Sequence, residues 1–306
     1  MTDEIPGADK HSLMNIGDLA KPATLLIQKV SDAVGAFCEP WQIKRVAEAQ
    51  ADAKLIATRA NIKASELEER ALRRMIKEQA KHQKNMESIT LQSLPHLNEN
   101  AIPGDIDEDW IANFFDKCRL ISDEQMQQLW SRVLAGEANS PGSFSKRAVG
   151  AIAEMDHLDA TDIMNVCRFT VFINDRITPI VWDSVDEFYN ANGVFFSSLN
   201  HLESIGIVSF ESTGYIRSND SGLFGFRYFN ESFTLDVRKY VERLRVINWS
   251  NPPADNSLPI GEVLFTEIGY QLASICDVDP VEGFVNYISN KWKEKGIEIQ
   301  PSLGES

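Results

Sequence analysis

The strongest constraint on the fold is the stretch from Trp41 to Gln92, which contains neither glycine nor proline. Most of its residues are Ala, Glu, Lys, Arg, Gln and Leu, all of which favour helix. At ~1.5 Å per residue, one continuous helix of this length would measure roughly 75 Å. The sequence therefore predicts a helical rod over residues 41–94. Pro95 and Pro103-Gly104 interrupt the pattern and predict a linker over residues 95–105.

One face of the rod carries small apolar residues that recur with alternating steps of four and three. This spacing is typical of the seam of a coiled coil, and alanine at a seam lets two helix axes approach closely. Such a seam is not satisfied by an isolated helix in water. We therefore expect a homo-oligomer, or a second helix folded back from the same chain. The candidate interaction residues of the seam are Ala53, Ala57, Ala60, Ala64, Leu67 and Ala71.

Residues 1–40 predict a tail followed by an amphipathic helix over residues 22–37, where apolar side chains share one helical face. Such a helix can pack against the rod or against a second subunit. It can also lie in the surface of a membrane, to which it would bind weakly. Its polar face holds a single lysine, Lys29, so we favour the packed arrangement.

Residues 106–173 predict a bundle of three or four short helices. Ser122 followed by Gln125 has the spacing of a capping box, which marks a helix start. Trp130 and its apolar neighbours recur at three and four residues, so the indole is expected on a buried stripe. Ser143 or Ser145 is expected to cap the next helix.

Residues 174–306 predict an α+β module of the winged-helix type. The expected order is a helix over Phe195–Ser204, a strand over Ile207–Phe210, a loop over Ser218–Gly222 and a strand over Phe224–Phe229. A further edge strand is expected at Ile297–Ile299. The whole chain is thus expected to be mainly α, with a long N-terminal helix or coiled coil, a central bundle and this winged-helix-like module.

The charge of the chain argues against general binding to nucleic acid. Its formal net charge is −15 and its pI is near 4.8, so it repels phosphate backbones as a whole. The presumed recognition helix, residues 194–204, has no Lys or Arg. Arg217 and Arg227 could touch a backbone but would supply little affinity. We expect no sequence-specific nucleic-acid partner; a protein partner is expected, and its identity is open.

No motif of a catalytic, cofactor or metal site is found in the sequence. The four cysteines stand far apart without a Cys-x-x-Cys pair, and the five histidines form no i, i+4 pair. We therefore assign no catalytic residue, no cofactor and no metal ligand. An alternative remains a metal-dependent hydrolase whose carboxylates are brought together only by the fold. The cysteine usage and the absence of a signal segment predict a cytoplasmic protein, with the inner-membrane surface as a second location.

One cluster of residues could bind an anion. Ser143, Ser145, Lys146 and Arg147 follow the Pro141-Gly142 turn, where free amide groups at a helix start and two adjacent bases could form an anion pocket. The simpler interpretation, which we favour, is that the serines cap the helix while the bases face solvent or pair with Glu137.

The segment LWSRVLAGEANSPGSFSKRAV, Leu129 to Val149, is the most distinctive motif of the chain. Together with the preceding SDEQMQ and the KPATLLIQKVSDAVGAFCEPWQIKRVAEAQADA stretch, it resembles a bacterial family known only as a domain of unknown function. This resemblance covers most of the chain and implies no activity.

The acidic start of the bundle, Leu129-Trp130 and Leu134-Ala135 resemble the Abi-alpha group of phage abortive-infection proteins. That similarity covers only the central helices, and the PGSFSKR segment departs from it. It implies a setting in phage defence and no catalytic residues. The first hypothesis is therefore a non-enzymatic, oligomeric interaction or sensor protein in anti-phage defence. The alternatives are a membrane-surface effector acting through residues 22–37 and the hydrolase.

Overall fold

The protein is mainly helical, with its sheets in the C-terminal part. The computed structural model describes residues 21–34, 66–247 and 256–301. These residues form two compact units, of which the first ends at Phe144 and the second begins at Ser145. The division falls within residues 106–173, the segment expected to form the central bundle.

Two helices of the N-terminal unit begin at acidic caps. Asp107 accepts a hydrogen bond from the Trp110 amide, and Asp123 accepts one from the Met126 amide. The second cap lies one residue after Ser122, the predicted one. Short 3-10 turns occupy Leu94–His96 and Pro103–Asp105. The described helices are α1 (Lys21–Val34), α2 (Glu66–Ser93), α3 (Glu108–Cys118) and α4 (Glu124–Asn139).

Helix α2 covers residues 66–93 of the predicted rod, whose residues 41–65 lie outside the described part of the chain. The C-terminal third of α2 packs on α4, where Ile89 is fully buried. Polar side chains accompany this contact: Asn85 donates to the Arg119 carbonyl at 2.8 Å, and the Ser88 hydroxyl donates to the Gln127 side-chain oxygen at 2.8 Å. These bonds fix the position of α2 on the bundle.

Helix α1 is amphipathic, as predicted, and its apolar face is covered. Leu26 and Val30 are fully buried, and the helix packs on α3 and on the turn at Pro103–Asp105. Helix α1 therefore packs on α3 and on the turn before it. The sequence had indicated the rod or a second subunit as its partner. Among the described helices, none is long and apolar enough to span a membrane.

Aromatic rings form the centre of the N-terminal unit. Trp130 is fully buried, which confirms its predicted place on the apolar stripe of α4. Its ring meets that of Phe114 edge-on, with centroids 5.1 Å apart, and Phe114 stacks on Trp110. The core thus depends on contacts between α3 and α4.

The C-terminal unit alternates helices and strands. Asp156 caps its second helix in a capping box with Asp159. Its described helices are α5 (Lys146–Glu154), α6 (His157–Cys167), α7 (Glu187–Asn190), α8 (Phe196–Ser204), α9 (Arg238–Ile247), α10 (Glu267–Ala273) and α11 (Phe284–Glu294). Its described strands are β1 (Thr170–Ile173), β2 (Arg176–Pro179), β3 (Val208–Asn219), β4 (Leu223–Tyr228), β5 (Glu231–Asp236), β6 (Asn256–Phe265) and β7 (Glu298–Pro301).

The strands form two antiparallel sheets. One has the order β2-β1-β4-β5-β7, and the other pairs β3 with β6. The edge strand predicted at Ile297–Ile299 is confirmed as β7. Strands β1 and β2 form a hairpin in which Asn174 and Asp175 both have positive φ, as a tight two-residue turn requires.

The winged-helix prediction is not confirmed. The sequence indicated that the loop at residues 218–222 joins two paired strands of a wing, but β3 pairs with β6 while β4 pairs with β1 and β5. The loop therefore passes the chain from one sheet to the other. Gly222 takes a left-handed φ of 70° there, and the Asn219 side chain accepts its amide hydrogen at 2.8 Å. At this turn the pairing of β3 with β6 ends, and the chain continues as β4, which pairs with β1 and β5.

Candidate functional site

The predicted seam residues fall partly within the described structure. Ala53, Ala57, Ala60 and Ala64 lie outside the described residues, whereas Leu67 and Ala71 lie on α2 and are exposed. Leu67 is 68% exposed, and Met75, one turn beyond Ala71, is 52% exposed.

The exposed part of α2 extends over residues 66–84, none of which is buried. Pairs of charged side chains one turn apart cover its polar surface: Arg73 meets Glu69 at 2.7 Å and Arg74 meets Glu78 at 3.7 Å. Leu72 and Ile76 are only half-buried. We call residues 66–84 the exposed segment of α2.

The LAGE–PGSF motif is a turn built around a buried carboxylate. Glu137, 1% exposed, accepts hydrogen bonds from the Gly142 amide at 2.7 Å and the Phe144 amide at 2.9 Å. Ser143 donates its hydroxyl to the Gly136 carbonyl at 3.2 Å. The partners of Glu137 are therefore backbone amides, whereas the sequence indicated Lys146 or Arg147. The Ser143 hydroxyl stabilises the same turn.

Ser145 caps α5, as one of the two interpretations predicts. Its hydroxyl accepts the Ala148 amide at 3.1 Å, while its own amide and hydroxyl both donate to the Gln271 side chain, at 2.9 and 3.1 Å. Lys146 and Arg147 are exposed and line a cleft of about 520 Å³ with Thr266, Glu267 and Ile268, among others. Three of the four residues of the predicted anion pocket thus share a cleft, and Ser143 belongs to the other unit.

A second cleft, which the sequence did not indicate, lies where β2 and the end of β6 come together with β3 and α10. Its volume is about 320 Å³. Two arginines line it, Arg176 from β2 and Arg217 from β3. We call it the arginine cleft. Its other lining residues are Ile177, Pro179, Leu264, Phe265, Glu267 and Tyr270.

The electrostatics of the arginine cleft are unbalanced. In the part of the chain that the structure describes, no carboxylate pairs with Arg176 or Arg217 in a salt bridge, and the Arg217 Nε atom is buried without a hydrogen-bond partner. Burial, together with the nearby charge of Arg176, lowers the pKa of the Arg217 guanidinium, and Tyr270 acts in the opposite direction. Glu267, at the wall shared with the first cleft, accepts a hydrogen bond from Gln271 at 3.4 Å.

Sequence reasoning noticed Arg217 only as a base on a presumed wing and missed Arg176. The available signal was the Asn174-Asp175 turn between two β-branched runs, which predicts a hairpin and places Arg176 at the start of its second strand. Arg227, the other base considered, stacks over the Phe172 ring at 4.1 Å and does not line the cleft.

The presumed recognition helix, α8, uses its polar side chains within its own unit. His201 Nε2 lies 2.6 Å from Asp159 Oδ1, and Glu203 accepts the Phe210 amide at 2.9 Å. Phe195 and Phe196, at the start of α8, are each about half exposed. The described surface of α8 therefore presents aromatic rings and no Lys or Arg side chain.

The described residues contain no cluster of three His, Cys, Asp or Glu side chains that could hold a metal ion. Cys118 and Cys167 are buried as free thiols. Burial raises the pKa of Cys118, and contact with the Cys276 thiol together with burial raises that of Cys167. Both thiols are thus held in their neutral, weakly reactive form. Cys38 lies outside the described residues.

The fold and its clefts define a mainly helical protein of two units, with antiparallel sheets in the second. The family model DUF2806, described as a protein of unknown function, matches residues 69–289, and the chain therefore belongs to this family. The match extends from α2 into α11. No curated protein and no solved structure matches the chain.

Proposed function

We propose that the protein is a non-enzymatic interaction or sensor protein that self-associates through the exposed segment of α2. The observation that supports this proposal is the exposure of Leu67 and Met75 on a helix whose residues 66–84 include no buried position. A helix without a packed face is marginal in water, because helical stability in proteins comes mainly from tertiary contacts. A partner surface would supply tertiary contacts to Leu67 and Met75.

The partner that we propose is a second copy of the chain. Leu67 and Ala71 continue, with the same alternation of four and three residues, the series that begins at Ala53 in the sequence. A repeated seam of this kind matches itself when two copies align. Burying a leucine or methionine side chain stabilises an interface by roughly 1.5–3 kcal/mol. A coiled-coil dimer or higher oligomer follows from this proposal.

Light scattering on the full-length protein across a range of concentrations tests it. The variant Leu67→Glu with Ala71→Glu places like charges on the seam and should convert the oligomer into a monomer. The matched control is Leu158→Glu, because Leu158 is 73% exposed and lies on α6 in the C-terminal unit, away from α2 in the sequence. A wild-type protein that is monomeric at every concentration contradicts the proposal, as does an oligomer that both variants leave intact.

We further propose that self-association serves anti-phage defence. Support for this setting comes from the resemblance of Leu129-Trp130 and Leu134-Ala135 to the Abi-alpha group. Cells that carry the wild-type gene should reduce the plating efficiency of a sensitive phage, whereas cells with the Leu67→Glu, Ala71→Glu gene should not. Equal plating on the wild type and on cells without the gene, across a phage panel, would count against the setting.

The C-terminal unit is proposed to bind no specific DNA sequence. Helix α8 carries no Lys or Arg, and its His201 and Glu203 are bonded within the unit. Phosphate attraction is therefore missing where a recognition helix would need it. Electrophoretic titration with random duplexes at physiological salt should show weak binding without preference. Nanomolar binding to one duplex, lost in Asn200→Ala or His201→Ala, would overturn this part of the proposal.

A further inference from the structure

The arginine cleft holds two positive charges, and neither is in a salt bridge within the described residues. Arg176 and Arg217 lie near enough for the charge of one to lower the pKa of the other. Two guanidinium groups beside one cavity cost free energy, because their like charges repel and because burial removes water from Arg217. An anion placed between them would reverse both effects.

The donors available in the cleft suit a tetrahedral oxyanion. Arg217 Nε is buried and has no hydrogen-bond partner, and a buried donor without a partner destabilises the fold. A guanidinium group presents its donors in a planar fork that matches phosphate oxygens. Tyr270, exposed at the same cleft, adds a hydroxyl donor. A doubly charged phosphate group would balance both arginines, whereas one carboxylate would balance only one.

The rest of the cleft suits a small and largely uncharged organic group. Ile177, Pro179, Leu264 and Phe265 give it apolar walls, and about 320 Å³ lies at the small end of ligand pockets. Glu267 supplies one acceptor at the wall and repels any second anionic group. These features disfavour a polyanion such as nucleic acid and a chain of phosphates.

We propose that the arginine cleft binds a small phosphate monoester, with its phosphate between Arg176 and Arg217 and its apolar or aromatic body against Ile177, Pro179 and Phe265. A hydroxyl or amino group of the ligand would donate to Glu267. This inference is independent of self-association through α2, since every residue that it uses belongs to the C-terminal unit.

Isothermal titration of the full-length protein tests the proposal with three probes: phenyl phosphate, adenosine monophosphate and, as the carboxylate counterpart, benzoate. We expect at least one phosphate monoester to bind with a Kd below about 1 mM and benzoate to bind at least about tenfold more weakly. Arg176→Gln and Arg217→Gln should each weaken phosphate binding about tenfold or more. Arg227→Gln is the matched control, because Arg227 stacks on Phe172 outside the cleft and should leave binding unchanged.

A second measurement locates the ligand. In a ¹⁵N correlation spectrum, the side-chain Nε–H signal of Arg217, assigned by its loss in Arg217→Gln, should shift when phosphate binds, because the group then gains a partner. If Arg217→Gln does not fold, Arg176→Gln still tests phosphate binding, because Arg176 is exposed and its replacement should not affect folding. The proposal is overturned if neither phosphate ester binds at about 1 mM, if benzoate binds as tightly as phenyl phosphate, or if binding survives both arginine substitutions.

Discussion

Gly269, in the first turn of α10, lies directly against the carbonyl oxygen of Ile207, at a separation that leaves no space for a Cβ atom. The same carbonyl accepts hydrogen bonds from the amide and the hydroxyl of Thr266, both at 3.1 Å. Helix α10 is thus attached at its start to the residue that precedes β3. This contact places Glu267 and Tyr270 at the arginine cleft.

Replacement of Gly269 by alanine should destabilise the C-terminal unit. The new methyl group would overlap the Ile207 backbone, and overpacking of this kind costs typically 1–3 kcal/mol. Gly150→Ala is the matched control: Gly150 lies inside α5 with nothing within 4 Å of an added Cβ. That change should stabilise the unit by about 0.5–1 kcal/mol. Urea unfolding followed by circular dichroism measures both, and a loss of equal size in the two variants would contradict the argument.

Replacement of Trp130 by alanine should unfold or strongly destabilise the N-terminal unit. The indole is fully buried against Phe114, and loss of a buried aromatic side chain costs ~3–5 kcal/mol. Trp130→Phe should cost less, because it keeps a ring in place and removes an indole N–H that has no hydrogen-bond partner. The paired change Lys146→Ala with Arg147→Ala should leave the melting temperature unchanged, since both side chains are exposed. If Trp130→Ala melted like the wild type but lost a binding partner, Trp130 would be a recognition residue.

Replacement of Glu137 should release the turn of the LAGE–PGSF motif. Glu137→Ala leaves the amides of Gly142 and Phe144 without their acceptor, and hydrogen bonds to a charged group contribute about 1.5–3 kcal/mol each. Glu137→Gln keeps one acceptor oxygen and should lose roughly half as much. Hydrogen exchange of the Phe144 amide reports the change locally. Exchange that stays as slow in Glu137→Ala as in the wild type would show that the carboxylate does not hold the turn.

The stability of the N-terminal unit should depend on pH through Glu87. Burial raises the pKa of this carboxyl, against which the hydrogen bond from Gln83 acts. A carboxyl group whose folded pKa exceeds its unfolded value binds more protons in the folded state. The free energy of unfolding therefore falls as the pH rises from the pKa of Glu87 in the unfolded chain through its raised pKa in the folded protein. Above that pH it stays constant.

Glu87→Gln removes this dependence. The variant should be more stable than the wild type at pH 7, and the difference should shrink as the pH approaches 4.5, the ordinary value for the group. Urea unfolding at a series of pH values measures it. A variant that is less stable than the wild type at pH 7 would show that the ionised carboxylate stabilises the fold.

Local features of the sequence predicted the helices well. The stripe around Trp130, the cap at Ser145 and the amphipathic pattern of α1 depend on residues three or four positions apart, and all three are present in the structure. The cap at Asp123 was misplaced by one residue, because Ser122 and Asp123 are both good cap residues.

Pairing between strands was predicted wrongly, because it depends on contacts far apart in the chain. Val208 faces Phe265 across the small sheet, and no local signal in β3 indicates that its partner is β6 rather than β4. The arginine cleft was missed for the same reason. Arg176 and Arg217 stand on different sheets, and only the packing of β2 beside β6 brings them to one cavity.

Strand β7 has a consequence for synthesis of the protein. It follows every other described element along the chain, yet it pairs with β5 through Leu235 and Ile299, inside the register of the large sheet. Until the ribosome has released β7, β5 remains an open edge with unpaired amide and carbonyl groups, which is a template for association with other chains. The C-terminal unit is therefore exposed to misassembly until β7 has been synthesised and has paired with β5, and a premature stop before Glu298 would make that state permanent.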